Sequence, residues 1–184
     1  MHSLDTFVQN YFSIVRTPHL TELMYIVSRF FDVSFYFVTI VLCFSLLIYL
    51  VRNLKYTILF ISTLVSSSIL VYFLKLFFNV NRPPYPVVYA FGQSFPSYHS
   101  TMATIFFIML IYIFDDYLKT FSRILFNSFC IGVIILVSFS RLYLGEHWFS
   151  DVFFGIILGS VISYISILIF RRVIDRQSNT SMLK

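Results

Sequence analysis

Three short segments of the sequence combine cations, imidazoles and carboxylates that could together handle a phosphate group. The segments are KLFFNVNRP at 75–83, PSYH at 96–99 and SRLYLGEHWFSD at 140–151. Lys75, Arg82 and Arg141 could surround an anion with several negative oxygens, because guanidinium groups offer forked donors and ammonium a point charge. Among anions, phosphate fits this set best.

The two histidines in these segments suit nucleophilic and acid–base chemistry. His147 and Asp151 are four residues apart and share a helical face, so the carboxylate can hold one ring nitrogen and leave the other free to attack. His99, on another helix, is then available as a general acid for the leaving oxygen. The segment 96–99 opens a helix, and the first N–H groups of a helix also favour an anion.

Other interpretations of the same residues stay open. A single histidine at a membrane interface is usually a surface residue, and Lys75, Arg82 and Arg141 could be span ends whose charged heads reach water. Glu146 is interpreted as a solvated carboxylate in a turn. The occurrence of all three segments on one side of a membrane favours a shared site.

The composition indicates an integral membrane protein. Of 184 residues, 59% are hydrophobic and 11% charged, with a mean hydropathy of +0.86, whereas about a quarter of an ordinary soluble domain is charged. The basic residues form no run, which argues against a nucleic-acid partner. The two cysteines lie in apolar stretches far from any histidine, so we expect neither a disulfide nor a zinc site. We predict one membrane-embedded domain over 1–184.

Uncharged stretches predict four transmembrane helices, at 33–51, 56–74, 124–140 and 152–170. A fifth is predicted at about 99–118, where 100–114 is uncharged and Asp115 and Asp116 lie at the far end. Each is close to the roughly 20 residues that a crossing requires. An amphipathic segment over 4–15 predicts an N-terminal interfacial helix, and if it crosses instead the chain has six spans. The predicted fold class is therefore all-α: an integral membrane helical bundle with about five transmembrane helices plus the interfacial helix.

Smaller features refine this arrangement. Thr17 and Pro18 predict the start of a helix near residue 19 that continues into the first span. Arg29 and Asp32 are expected to form an ion pair at the membrane surface, and Tyr143 and Trp148 to join an interfacial aromatic belt. The Gly155–Gly159 spacing favours close helix packing within the bundle.

The basic residues of the connections predict the orientation. Eight of the thirteen Lys and Arg lie between the first and second spans, between the third and fourth, or after the fifth, and by the positive-inside rule that side is cytoplasmic. These eight are Arg52, Lys55, Lys119, Arg123, Arg171, Arg172, Arg176 and Lys184. The three segments described first lie on the opposite, outer side.

The three segments resemble the signature of the type 2 phosphatidic acid phosphatase family, part of the acid phosphatase and vanadium haloperoxidase superfamily. That signature is K-x6-R-P, P-S-G-H and S-R-x5-H-x3-D. The sequence matches ten of its eleven fixed positions, in order and at the family spacing: Lys75, Arg82, Pro83, Pro96, Ser97, His99, Ser140, Arg141, His147 and Asp151.

The resemblance implies a helical bundle and a phosphohydrolase without metal or other cofactor. Its nucleophile would be His147, oriented by Asp151, and it would form a phosphohistidine while His99 protonates the departing oxygen and later activates water. The phosphoryl oxygens would be held by Lys75, Arg82, Ser97, the backbone N–H of Tyr98 and Arg141, with Ser140, Pro83 and Pro96 supporting the site. Tyr98 replaces the family glycine. Its backbone N–H remains a donor if the segment is a first helical turn with negative φ, whereas a positive φ would require a reshaped pocket.

The sequence therefore predicts a lipid phosphatase whose partners are the bilayer and a phosphorylated membrane lipid, with the active site at the outer face of the cell membrane. Substrates that the family makes plausible are undecaprenyl diphosphate, phosphatidylglycerophosphate, phosphatidic acid and the phosphates of lipid A. Two alternatives stay open: phosphoryl transfer to another lipid, and a non-enzymatic protein that binds or transports a phosphate-bearing lipid.

Overall fold

The computed structural model describes residues 2–32, 35–89 and 91–182, and within these ranges the side chains other than those of residues 2, 35 and 175–182. The described chain forms seven α-helices and one 3₁₀ turn, Asp115–Tyr117, and no strand. The helices are α1 His2–Val15, α2 Pro18–Arg29, α3 Phe35–Val51, α4 Leu54–Phe78, α5 Tyr98–Phe114, α6 Thr120–Tyr143 and α7 Phe149–Met182.

Within the described residues, four helical segments are long and apolar enough to cross a membrane: α4, α5 with the 3₁₀ turn, α6, and α7 up to Ile174. The remaining predicted span, 33–51, corresponds to α3, which has 17 residues and is shorter than these four; its predicted first residue, Val33, lies outside the described residues. The structure confirms the all-α membrane bundle, and the chain is a multi-pass membrane protein.

Helix α5 is the central helix of the bundle. Two thirds of its span is buried inside the protein, against 39% for α4 and less for α6 and α7. Helix α7 approaches it closely at two glycines: a Cβ atom on Gly155 would lie 3.0 Å from the Ser97 carbonyl oxygen, and one on Gly159 would lie 2.8 Å from that of Thr101. The predicted role of this glycine pair in packing within the bundle is confirmed.

The predicted N-terminal amphipathic helix is α1, which packs across the ends of α6 and α7. Phe7 and Ile14 are exposed on one face. On the other face, the Asp5 carboxylate accepts hydrogen bonds from the backbone N–H of Ser150 at 2.8 Å and from its hydroxyl at 3.0 Å. The first of these bonds satisfies the Ser150 N–H, one of the backbone donors in the first turn of α7 that have no partner within that helix.

Helix α2 begins at Pro18 with Thr17 at its N-cap, as predicted, but it does not continue into the first span. It ends at Arg29, and Phe31 and Asp32 follow it as turn residues. The Tyr143 hydroxyl accepts a hydrogen bond from the Thr17 N–H at 2.8 Å. Because Tyr143 is only 1% exposed, its predicted place in an interfacial aromatic belt was wrong.

The end of the bundle away from α1 carries the predicted basic connections. The Tyr117 hydroxyl donates to the Val51 carbonyl oxygen at 2.7 Å, and Arg52 pairs with Asp116 at 3.7 Å. The guanidinium of Arg171 lies 5.2 Å from the ring centroid of Tyr112. These contacts bring the α3–α4 connection, the end of α5 and the basic part of α7 to one end of the molecule, while Lys184 and the Arg176 side chain lie outside the description.

Candidate active site

A cavity of about 850 Å³ opens among α2, α4, α5 and the connections that precede α5 and α7. Six of the residues predicted from the sequence line it: Lys75, Arg82, Tyr98, His99, Arg141 and His147. The three sequence segments therefore meet at one place, as their positions at span ends predicted. The cavity walls also include apolar and aromatic side chains, among them Val71, Tyr72 and Phe91.

His147 lies in the turn between α6 and α7, beside a carboxylate that orients it. Its Nδ1 is 3.3 Å from Oδ2 of Asp151, and the same oxygen accepts a hydrogen bond from the Trp148 N–H at 2.8 Å. Both side chains are only 1% exposed. The second ring nitrogen, Nε2, is 3.4 Å from the Arg82 guanidinium, and His147 is one of the residues that line the cavity. The carboxylate therefore contacts one ring nitrogen and not the other.

The surroundings of His147 keep its ring neutral. Burial lowers the pKa of His147 well below its usual 6.5, and the positive charges of Arg141 and Arg82 lower it further. Protonation would place another positive charge in a buried site that already contains cations. At neutral pH the imidazole therefore retains the lone pair that a nucleophile requires.

Lys75 and Arg82 reach the cavity from the last turn of α4 and from the connection that follows it. The Lys75 ammonium donates to the carbonyl oxygens of Gln93 and Ser94 at 2.7 and 3.1 Å. The Arg82 guanidinium donates to the carbonyl oxygens of Gly92 at 3.0 Å and Glu146 at 2.9 Å. A backbone carbonyl carries no formal charge, so these hydrogen bonds do not neutralise either group and both can attract an anion.

Arg141, on the last turn of α6, has a charged partner that the sequence did not reveal. Its guanidinium donates to the carboxylate of Glu146 and to the hydroxyl of Ser28. Glu146 is 4% exposed and lines the cavity, so its interpretation as a solvated carboxylate was wrong. Burial raises the pKa of Glu146, and the charges of Arg141 and Arg82 oppose that rise.

The first turn of α5 has the helical geometry that the sequence predicted. Ser97 is the N-cap, and its side chain accepts from the backbone N–H of Ser100, so the Ser97 hydroxyl is bonded to the helix and does not line the cavity. Tyr98 begins the helix and is not among the residues with positive φ, which keeps its N–H at a helix N-terminus. Its hydroxyl bonds to that of Ser68 on α4 at 3.1 Å.

Four further predicted residues lie behind the cavity wall. Asp151 contacts His147 but is not one of the residues that line the cavity. The Ser140 hydroxyl donates to the Val137 carbonyl oxygen within α6 at 2.7 Å. Pro83 and Pro96 are buried. These positions can shape the walls without contacting a bound phosphate group.

The sequence reasoning missed a contribution from the chain before the first span. Tyr25, Ser28 and Asp32 line the cavity, and the carboxylate of Asp32 lies 2.6 Å from Nε2 of His99. The predicted Arg29–Asp32 ion pair was wrong, because Arg29 lies over the ring of Tyr25 at 5.3 Å. The one available signal was that Asp32 is a carboxylate next to a span on the same side as the three segments.

Charge keeps the Asp32 carboxylate ionised. Burial on its own would raise the pKa of Asp32, but the hydrogen bond and charge of His99, with Arg141 and Arg29, outweigh burial and lower it. An ionised carboxylate accepts hydrogen bonds only. Nε2 of His99 is therefore the donor in this pair.

Comparison with known proteins gives one family and two similar folds. The model of the PAP2 superfamily matches residues 55–175. A crystal structure described as the first transmembrane PAP2 type phosphatidylglycerolphosphate phosphatase, from Bacillus subtilis, has a TM-score of 0.85 at 23% identity, over 94% of this chain and 87% of that one. The crystal structure of Aquifex aeolicus LpxE has a TM-score of 0.70 at 23% identity, over 90% of this chain and 93% of that one. No curated protein matches the sequence.

Proposed function

This chain belongs to the PAP2 superfamily, whose model matches more than half of it, and we propose that it is a lipid phosphatase that hydrolyses a phosphate ester or diphosphate of a membrane lipid. One observation carries the proposal. An oriented, neutral histidine, a second histidine and three cations line a single cavity at the end of a membrane bundle. A nucleophile, an acid and an anion site are the groups that phosphoryl transfer requires.

The proposed mechanism has two steps, and neither uses a metal ion. Nε2 of His147 attacks phosphorus while Asp151 stabilises the positive charge that develops on the ring. His99 gives a proton to the oxygen of the leaving lipid. Water then attacks the phosphohistidine, with His99 taking its proton, and inorganic phosphate leaves.

The cations supply the electrostatic part of catalysis. Lys75, Arg82 and Arg141 would hold the oxygens of the phosphoryl group and stabilise the charge of the transition state, assisted by the N–H groups that begin α5. The low dielectric of a buried site strengthens each of these interactions.

The shape and charge distribution of the molecule support a lipid substrate at the outer membrane surface. Apolar side chains of α4 line the cavity below Lys75, which suits a lipid tail. The basic connections lie at the opposite end of the bundle, and the positive-inside rule assigns that end to the cytoplasm. Because one structural neighbour is described as a phosphatidylglycerolphosphate phosphatase, phosphatidylglycerophosphate is the first substrate to assay.

A comparison of three variants tests the proposal against simple binding of a phosphate-bearing lipid. Purified protein in detergent, with a metal chelator present, is assayed for release of inorganic phosphate from phosphatidylglycerophosphate, phosphatidic acid, undecaprenyl diphosphate and lipid A. We expect His147→Ala, Lys75→Ala and Arg141→Ala each to lose turnover, His147→Ala by at least about a thousandfold. The His147→Ala protein should still bind the lipid, because the cations remain.

Lys119→Ala is the control, since this exposed lysine lies at the end of the bundle away from the cavity. It should retain wild-type turnover. Full function in His147→Ala, with loss only in the cation variants, would favour a binding or transport protein. Activity that disappears with the chelator would contradict the metal-free mechanism.

A further inference from the structure

We propose that Asp32 is a positioning residue for His99: its carboxylate holds Nε2–H of that ring, stabilises the protonated ring and leaves Nδ1 as the nitrogen that transfers the proton. The inference rests on the proposed function, since it assigns a role within the same reaction. Asp32 lies outside the segment that the family model matches and outside the three segments that carry the signature.

The first support is the contact itself. Oδ1 of Asp32 and Nε2 of His99 are 2.6 Å apart, and the side chain of His99 is 10% exposed. A hydrogen bond between charged groups at this distance is strong. A carboxylate that accepts from one ring nitrogen fixes both the tautomer and the orientation of an imidazole.

The second support is that the protein anchors Asp32 at this place through its neighbour. Phe31 is 5% exposed, and its ring packs against those of Phe106 and Phe107 on α5, at centroid distances of 6.1 and 6.0 Å. Phe106 is seven residues, about two turns, after His99 on the same helix. The aromatic contact therefore holds the chain after α2 against the helix that carries His99.

The third support is electrostatic. Arg141 on α6 and Lys75 on α4 line the same cavity as the His99 ring. Asp32 is the carboxylate in direct contact with that ring. Without it, a buried imidazole next to two cations would resist the protonated form that a general acid requires.

The role proposed for Asp32 implies the following proton movements. As Nε2 of His147 bonds to phosphorus, the bond from phosphorus to the lipid oxygen breaks, and the proton on Nδ1 of His99 moves to that oxygen. His99 is then neutral, with its Nε2–H still donated to Asp32. In the second step the water oxygen bonds to phosphorus while Nδ1 of His99 takes its proton. The bond from phosphorus to Nε2 of His147 breaks, inorganic phosphate leaves, and both rings return to their starting states.

The test compares two forms of one substrate: the lipid phosphate that the wild-type protein hydrolyses fastest, and its analogue with sulfur in place of the bridging oxygen. A thiolate is a far weaker base than an alkoxide and leaves without a proton. Single-turnover release of the leaving group reports the first step alone. We expect Asp32→Asn, which keeps the side-chain shape and loses the charge, to slow the oxygen ester by about tenfold to a hundredfold and the sulfur ester by less than about threefold.

Three further variants make the result specific. His99→Ala should give the same pattern with a larger loss, and Asp32→Ala should resemble Asp32→Asn. Glu22→Gln removes an exposed carboxylate on α2 and should leave both rates unchanged. Size-exclusion profile and melting temperature report whether each variant folds.

The outcomes separate the two proposals. Equal slowing of both esters by Asp32→Asn, or no slowing of either, would overturn the role of Asp32 and leave the phosphatase assignment standing. A wild-type protein that releases no leaving group from any lipid phosphate would overturn the proposed function and this inference with it.

Discussion

Among the individual residues of the cavity, two carboxylates offset part of the positive charge. Glu146 pairs with Arg141, and Asp32 pairs with His99. If the cavity binds phosphate as proposed, the phosphate group would compete with Glu146 for the Arg141 guanidinium, so only an anion with strong, multiple contacts would gain from binding there. A dianionic phosphoryl group that also reaches Lys75 and Arg82 meets that condition.

Tyr98, in place of the family glycine, leads to a prediction. Its φ is not positive, so the backbone does not need glycine, and its ring lines the cavity with its hydroxyl on Ser68. We expect Tyr98→Gly to retain or raise phosphate release, because the backbone N–H remains and the cavity becomes larger. Tyr98→Phe, which loses only the bond to Ser68, should stay within about threefold of wild type.

Steady-state kinetics on the preferred lipid check this expectation, with melting temperature as the control for folding. A complete loss of activity in a folded Tyr98→Gly protein would contradict it. The phenol ring would then be part of the substrate site.

The meeting of the three segments at one cavity was predictable because their residue types and spacing indicate a shared phosphate site. A histidine four residues before an aspartate predicts the 3.3 Å pair of His147 and Asp151 without any tertiary information. Asp32 could not be found in this way, because its partner is 67 residues away and the nearest cation in sequence, Arg29, offered a local alternative. Glu146 was missed because the burial of a turn residue depends on tertiary contacts, here those with Arg141 and Arg82.

Among the contacts between helices, the packing of α5 against α7 sets the geometry of the site. Helix α5 contributes His99, α7 contributes Asp151 in its first turn, and His147 lies in the turn just before α7. Their separation is fixed where Gly159 meets Thr101 and Thr104, with a distance of 2.8 Å from a Cβ at residue 159 to the Thr101 carbonyl oxygen. A methyl group there must displace backbone.

We therefore expect Gly159→Ala to destabilise the protein by about 1–3 kcal/mol and to lower turnover, since α5 and α7 must move apart. Gly132→Ala is the matched control: a Cβ at residue 132 of α6 has no atom within 4 Å, so the change should stay within about 1 kcal/mol. Thermal unfolding in detergent measures both. Equal melting temperatures of the two variants would show that the close contact is unimportant.

The helices themselves follow from the sequence more fully than their ends do. Charge-free stretches predicted α4 to α7, since an ionised group in hydrocarbon is costly. Helix α4, however, extends past Lys75 to Phe78, because a long basic side chain can leave the helix toward a polar cavity. No Pro or Gly near Arg29 predicts that α2 ends there. The helix end is explained by the contacts of Phe31 with α5. These are tertiary contacts, which the sequence does not reveal.

The whole molecule has two chemically different ends, and this leads to a prediction of topology. The cavity lies at one end and the basic connections at the other, which the positive-inside rule assigns to the cytoplasm. In a background in which Cys43 and Cys130 are replaced by serine, we expect Tyr89→Cys to react in intact cells with a membrane-impermeant maleimide. Tyr89 is 87% exposed near the cavity.

Lys119→Cys, at the other end, should react only after the membrane is made permeable. The reverse pattern would place the cavity in the cytoplasm and contradict the proposed outer location. It would leave the proposed chemistry unaffected, because the reaction depends only on the cavity.

The measurement that most directly tests the account is the capture of the covalent intermediate on His147. Protein is mixed with the preferred lipid carrying a radioactive phosphate label, quenched in alkali within the first turnover, digested and mapped. We predict label on the peptide that contains His147, stable to alkali and lost in acid as a phosphoramidate bond is, and absent from His147→Ala. Turnover of the lipid with no labelled peptide at any quench time, or with label on another residue, would contradict the account.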